Sequence, residues 1–110
     1  LQENVKFYLY TRSKPANYLQ LYLNDPANLQ QSGFDLHSET KFIIHGFANS
    51  VEGVVVQSIK KSYLDKGWFN IIVVDWSDLS MPPYYNTAVT NIESVGNYVS
   101  QMIEYLIMQG

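Results

Sequence analysis

This sequence predicts an α/β fold built on one strand–helix–strand crossover, and three observations carry that expectation. Phe42 to His45 and Ile71 to Trp76 are short, continuous apolar runs, the second rich in β-branched residues. Runs of this kind suit strands buried on both faces, as in parallel sheets. Between them, Val55, Ile59 and Tyr63 recur every four residues, with Val56 and Leu64 beside them, which is helical spacing. From Ala88 onward, Ile92, Val95, Val99, Met102 or Ile103, and Leu106 recur at spacings of three and four, which predicts a long helix packed on the sheet.

The elements follow in order. Val5, Phe7 and Leu9 alternate with Lys6, Tyr8 and Tyr10, the period of a half-buried strand. Thr11 to Asn17 contains Pro15 and reads as a turn. Tyr18 to Tyr22 alternates again and is expected to pair antiparallel with the first strand, until Asn24-Asp25-Pro26 breaks it. Residues 27 to 39 are mixed, with Gly33 marking a turn and Ser32 and Ser38 reading as loop residues. In the first long helix Gln57, Lys60 and Lys61 are assigned to the faces away from the sheet, and Gly67 ends it. The strand–helix–strand order then makes one right-handed crossover. Ser77 to Tyr85 holds Pro82-Pro83 and reads as loop, after which Asn86 or Thr87 caps the final helix.

The chain has 110 residues, 46% of them hydrophobic, which is a globular composition and fits one domain or part of one. Charged residues reach only 15%, below the usual quarter, as expected if much of the surface is buried or covered. A net charge of −3 with no basic block argues against nucleic acid or anionic lipid as an electrostatic partner. There is no cysteine, so neither a disulfide nor a thiolate metal site can form within these residues. No apolar run reaches the roughly 18 residues of a transmembrane helix. His37 and His45 are the only imidazoles and lack metal-ligand spacing, and no Gly-rich phosphate loop is present. No cofactor is expected.

The chemistry-bearing stretch is Ile44-His45-Gly46-Phe47, where an apolar strand stops at a glycine. In open α/β sheets the carboxyl ends of the strands are where ligands bind. Gly46 permits close approach of the backbone, and the N–H of Phe47 is a candidate oxyanion donor. The plainer reading is a strand end with a turn glycine and a core histidine. His45 precedes the candidate donor and is assigned a hydrogen-bonding role that fixes the loop. Asp75 ends the second buried strand and is assigned to satisfying loop N–H groups, with Trp76 packing under the loop that follows. Met81-Pro82-Pro83-Tyr84-Tyr85 is apolar and aromatic, and reads either as an acyl-chain wall or as a loop anchored by its rings. Glu93 and Glu104 lie off the apolar stripe of the last helix. None of Ser77, Ser94 or Ser100 sits in a Gly-x-Ser-x-Gly elbow.

Taken together, Phe7 to Thr11, Thr40 to Phe47, Val74-Asp75-Trp76 and Tyr85 to Ala88, with Asn91-Ile92 and Val95-Gly96, resemble the pancreatic lipase family in order and approximate spacing. That family includes triacylglycerol lipases, phospholipases A1 and non-catalytic yolk proteins. The resemblance covers nearly the whole chain. It implies that residues 1–110 are the amino-terminal part of a lipase-like α/β-hydrolase domain, truncated before the nucleophile elbow. It further implies a secreted, extracellular carboxylic ester hydrolase. Its Ser-His-Asp chemistry would act on triacylglycerol or phospholipid acyl esters at a lipid–water interface. By the same resemblance, Phe47 supplies half of the oxyanion hole through its backbone N–H, Gly46 adjoins the substrate and Tyr85 lines the acyl site. No triad member is assigned within the chain, which is expected to be inactive alone and to be poorly folded or aggregation-prone. The family's vertebrate digestive members carry a cysteine pair near the positions of Lys60 and Ile71, and its absence here points to a different branch. The alternatives are a non-catalytic, yolk-protein-like lipid binder or a short interaction protein. The oligomeric state is left unassigned.

Overall fold

The structure is a computed structural model that describes residues 5–45, 53–77 and 85–109, the side chains of 85–91 excepted. Strand β1 (Lys6–Thr11) and strand β2 (Lys14–Leu21) form an antiparallel hairpin, with Phe7 opposite Leu21 and Leu9 opposite Leu19. The short helix α1 (Pro26–Gln31) follows, then strand β3 (Thr40–Ile44), helix α2 (Val54–Lys66), strand β4 (Asn70–Asp75) and helix α3 (Tyr85–Gln109). The strands form one sheet in the order β2-β1-β4-β3. β3 and β4 are parallel, with Ile44 opposite Val74, and β1 lies antiparallel to β4 on its other side. The sheet is therefore mixed, and the hairpin, crossover and long helix are all present.

Alternate residues of the strands build two cores. Phe7, Leu9, Ile72 and Val74 point to one face and pack with Val95, Val99, Met102 and Leu106 of α3. Tyr8, Tyr10, Ile71 and Val73 point to the other and pack with Val56 and Leu64 of α2. β1 is thus buried on both faces, where its alternation alone suggests one. It lies between β2 and β4 with a core on each side, so Tyr8 and Tyr10 are enclosed along with Phe7 and Leu9.

The hairpin is tighter than the sequence suggests. Only Arg12 and Ser13 form the turn, Lys14 to Asn17 belong to β2, and Tyr22 lies outside it. Pro15 is tolerated because β2 is an edge strand and its pairing shifts register between Leu9 and Thr11. Helix α1 falls in the stretch whose sequence shows no clear period. Its signals are Asp25, whose side chain accepts the Asn28 N–H at 3.1 Å, and Pro26 in the first turn, where no N–H is needed. Gly33 has φ +88°, a conformation that suits glycine, and so makes the expected turn. Ser32 is buried, donating to the Leu29 carbonyl at 2.7 Å and accepting from Phe34 N–H. It is a helix-end residue and not an ordinary loop serine.

Helix α2 presents a different row from the one its periodicity suggests. Val56, Lys60 and Leu64 face the sheet, while Val55 and Ile59 are exposed. The two rows are neighbours on the helix, and a lysine in the buried row hides it from a hydrophobicity pattern. Lys60 is only 8% exposed. Its Nζ lies 4.1 Å from the centroid of the Tyr10 ring and donates to the Pro15 carbonyl at 2.8 Å. The alkyl stem fills the core while the ammonium keeps a π-face and an acceptor. Gly67 ends the helix as expected, its N–H donating to the Tyr63 carbonyl.

Asn70 opens β4 and is almost fully buried. It accepts from Asp35 N–H at 2.9 Å and donates to the Asp35 carbonyl at 2.7 Å, tying the loop before β3 to the sheet. Helix α3 begins at Tyr85, three residues before the apolar pattern, so Asn86 and Thr87 lie inside it and do not cap it. A first helical turn makes no demand for apolar side chains, and periodicity therefore misses it. Within α3, Val95, Val99, Met102 and Leu106 are buried, which settles the choice between Met102 and Ile103, while Ile92 is half exposed.

Candidate functional site

β3 and β4 are parallel, so their carboxyl ends emerge side by side. The register places Ile44 opposite Val74, and His45 and Asp75 are the next residue on each strand. Trp76 follows one position later. Its N–H donates to His45 Nε2 at 3.0 Å, and its indole Nε1–H donates to the His45 carbonyl at 2.8 Å. Each side chain therefore bonds the other residue's backbone. The rings stack with centroids 5.7 Å apart and planes 17° from parallel. Both residues are buried.

Asp75 lies beside this pair, its Oδ1 accepting the Ser77 N–H at 3.0 Å and the Ser77 hydroxyl at 2.7 Å. Burial works to raise its pKa, but contact with His45 and the Ser77 donors outweigh burial and hold the carboxyl at about 2. His45 Nε2 accepts the Trp76 N–H and lies 3.5 Å from Asp75 Oδ1. From β1, Tyr8 completes the cluster. Burial, the Asp75 charge and the neighbouring Tyr18 push its phenol well up, so it stays protonated and available to donate.

The structural assignments from sequence hold for His45, which is hydrogen-bonded at a strand end, and for Asp75, which satisfies a following N–H. Gly46 and Phe47 lie outside the described residues, as do Met81 to Tyr84 and the loop expected above Trp76. Tyr85 is the first residue of α3, and its side chain is also outside what is described. The approach of Tyr8 to Asp75 is one that sequence reasoning misses. Its signal lies in the alternation of β1, which puts Tyr8 and Asp75 on the same face once the register is known.

The Lipase family model matches residues 1–109. The chain belongs to the pancreatic lipase family. Among this family's members, pancreatic lipase-related protein 2 of Myocastor coypus is 38% identical over 103 residues, covering 94% of this chain and 22% of that protein. The inactive pancreatic lipase-related protein 1 of Homo sapiens is 35% identical over 104 residues, with the same coverage of 94% and 22%. The pancreatic triacylglycerol lipase of Mus musculus is 34% identical over 105 residues, covering 96% and 22%. The chain thus spans about a fifth of the length of these family relatives. Among its described residues no helix is long and apolar enough to cross a membrane.

Proposed function

We propose that these residues form the amino-terminal part of an α/β-hydrolase fold in a secreted carboxylic ester hydrolase that acts on lipid esters. The observation that carries this reading is the juxtaposed carboxyl edge of β3 and β4, locked by His45 and Trp76, in a chain of the lipase family. In this reading a serine supplied from outside these residues attacks the acyl carbonyl. The backbone N–H of Phe47 stabilises the resulting oxyanion, Gly46 lets the backbone come close, and Tyr85 borders the acyl chain. Loss of one such donor typically lowers kcat by about two to three orders of magnitude. The triad, the elbow and the interface that meets lipid belong to the rest of the protein.

A second reading is a family member that binds lipid without hydrolysing it. It is favoured by the similarity to an inactive relative, which is as close over this segment as the lipase from mouse. The deciding experiment is hydrolysis of a triacylglycerol emulsion and of phospholipid vesicles by the full-length protein, with its mass and downstream sequence determined. Fatty acid release, abolished when the serine of a Gly-x-Ser-x-Gly elbow is replaced by alanine, supports the esterase. Lipid binding without release, in a protein lacking that serine, supports the binding protein.

A further inference from the structure

We infer that Tyr8 and Tyr18 form an oxidative modification site, two phenols placed to be joined as dityrosine by hydrogen peroxide acting through a haem peroxidase. The link staples β2 to β1. Neither ring takes part in the ester chemistry proposed above, so cross-linking and hydrolysis are read separately.

The hairpin register brings the rings together. Leu9 lies opposite Leu19, so the neighbouring Tyr18 falls on the face that carries Tyr8 and Tyr10. The Tyr8 and Tyr18 rings have centroids 4.0 Å apart and planes 30° from parallel. That is closer than the separation of about 4.5–7 Å usual for aromatic pairs. Tyr10 meets Tyr18 edge-on, at 5.9 Å and 67°. Tyr18 is 45% exposed and Tyr8 only 8%. An oxidant therefore reaches Tyr18 directly, and Tyr18 passes the oxidation inward across the ring contact.

Charge selects between the two buried phenols. The Asp75 carboxylate neighbours the Tyr8 phenol, and an anion beside a ring eases removal of an electron. The Lys60 ammonium lies 4.1 Å from the centroid of Tyr10, and a cation over a ring resists that removal. Distance and charge both favour Tyr8. In the coupling, peroxide takes one hydrogen atom from each phenol and leaves as two waters. The two phenoxyl radicals pair their electrons in a bond between ring carbons ortho to oxygen. The hydrogens on those carbons then move to the oxygens and restore both phenols, so the product has two hydrogens fewer.

The staple falls where the sheet is weakest. β2 is an edge strand, exposed from Lys14 to Leu19, and no cysteine is present to tie it down. An edge held by one neighbour opens readily, and a covalent link between the strands restricts that opening.

The test treats the full-length protein, at low concentration, with hydrogen peroxide and a catalytic amount of haem peroxidase. The readouts are dityrosine fluorescence of the monomer and sequencing of the linked peptides. The expected product is a monomer carrying a Tyr8–Tyr18 link. Tyr8→Phe and Tyr18→Phe keep the ring and remove the phenol, and each is expected to lower the intrachain yield at least about tenfold, because proximity makes the coupling intramolecular. Tyr10→Phe is expected to stay within about twofold of wild type. Lys60→Met is expected to raise the share of Tyr10–Tyr18 links. Tyr18 is exposed, so its variant decides the matter even if Tyr8→Phe fails to fold. Wild-type intrachain yield in Tyr18→Phe would overturn the inference. So would a wild-type protein with no intrachain link, or with links that map mainly to Tyr10. An unchanged Tyr10 share in Lys60→Met would overturn the selecting role given to charge.

Discussion

β3 and β4 are built from the same kind of residue and meet different fates. Ile71, Ile72, Val73 and Val74 of β4 have no exposed surface at all. In β3, Ile43 is buried but Ile44 is 53% exposed, and Phe42 is only partly covered. The difference is the number of neighbours. β4 lies between β1 and β3 with α2 and α3 packed on its two faces, while β3 has, among the described residues, a strand on one side only. An apolar run states a demand for burial, and position in the sheet decides whether it is met. On the open side of β3, an apolar groove of about 540 Å³ runs between Phe42, Phe34 and Leu36 and the Ile103, Leu106 and Ile107 row of α3.

The sharpest way to break the comparison is to empty the centre. Ile72→Ala in the full-length protein is expected to lower stability by about 3–4 kcal/mol, read as a shift in the urea-unfolding curve, because the cavity sits where nothing can collapse into it. Ile44→Ala is the matching change at the edge. A residue left half exposed should cost under about 1 kcal/mol, whereas a strand covered by further sheet should cost about 2 kcal/mol or more. The α/β-hydrolase reading expects the larger value in the full-length protein. The smaller one would mean that the β3 edge stays open.

The opposite edge of the sheet offers a milder test. β2 is exposed along most of its length, and Lys60 reaches it at Pro15. Lys60→Met keeps the stem and drops the ammonium, and a change within about 1 kcal/mol is expected, since losing one charge-assisted bond is offset by relief of desolvation. Lys60→Glu places an acid against the Tyr10 face and the Pro15 carbonyl, and should cost at least twice as much by the same measurement. A separate effect, read through pH, comes from acid at Asp75, where β4 leaves its buried run. Its folded pKa of about 2 lies below the ordinary 3.8, so the native state binds this proton less readily than the unfolded chain. The stabilisation is complete above 3.8 and is lost as the pH falls through about 2. Asp75→Asn should flatten that part of the stability–pH profile and leave the neutral side unchanged in slope.

Much of the architecture is legible in the order of the residues. The crossover, the hairpin partner, the Gly33 turn and the stripe of α3 all follow from periodicity and turn chemistry to within a few residues. The structural roles of His45 and Asp75 are legible too, because a buried polar residue at a strand end must find partners. Those of Tyr8 and Lys60 are not. Both belong to the α2 face, where aromatic rings and a lysine stem pack among the aliphatic residues, and a pattern that scores lysine as polar turns α2 by one residue.

The sequence alone determined the elements other than α1, their order and the family, since helix spacing, strand runs and Gly or Pro breaks act over short stretches of chain. Tertiary structure alone decided which row of α2 is buried, that β1 is enclosed on both faces, and that His45 meets Trp76. The reason is physical. Those outcomes depend on the parallel register of β3 against β4 and on which layer lies over each face, and both join residues that no local pattern brings together.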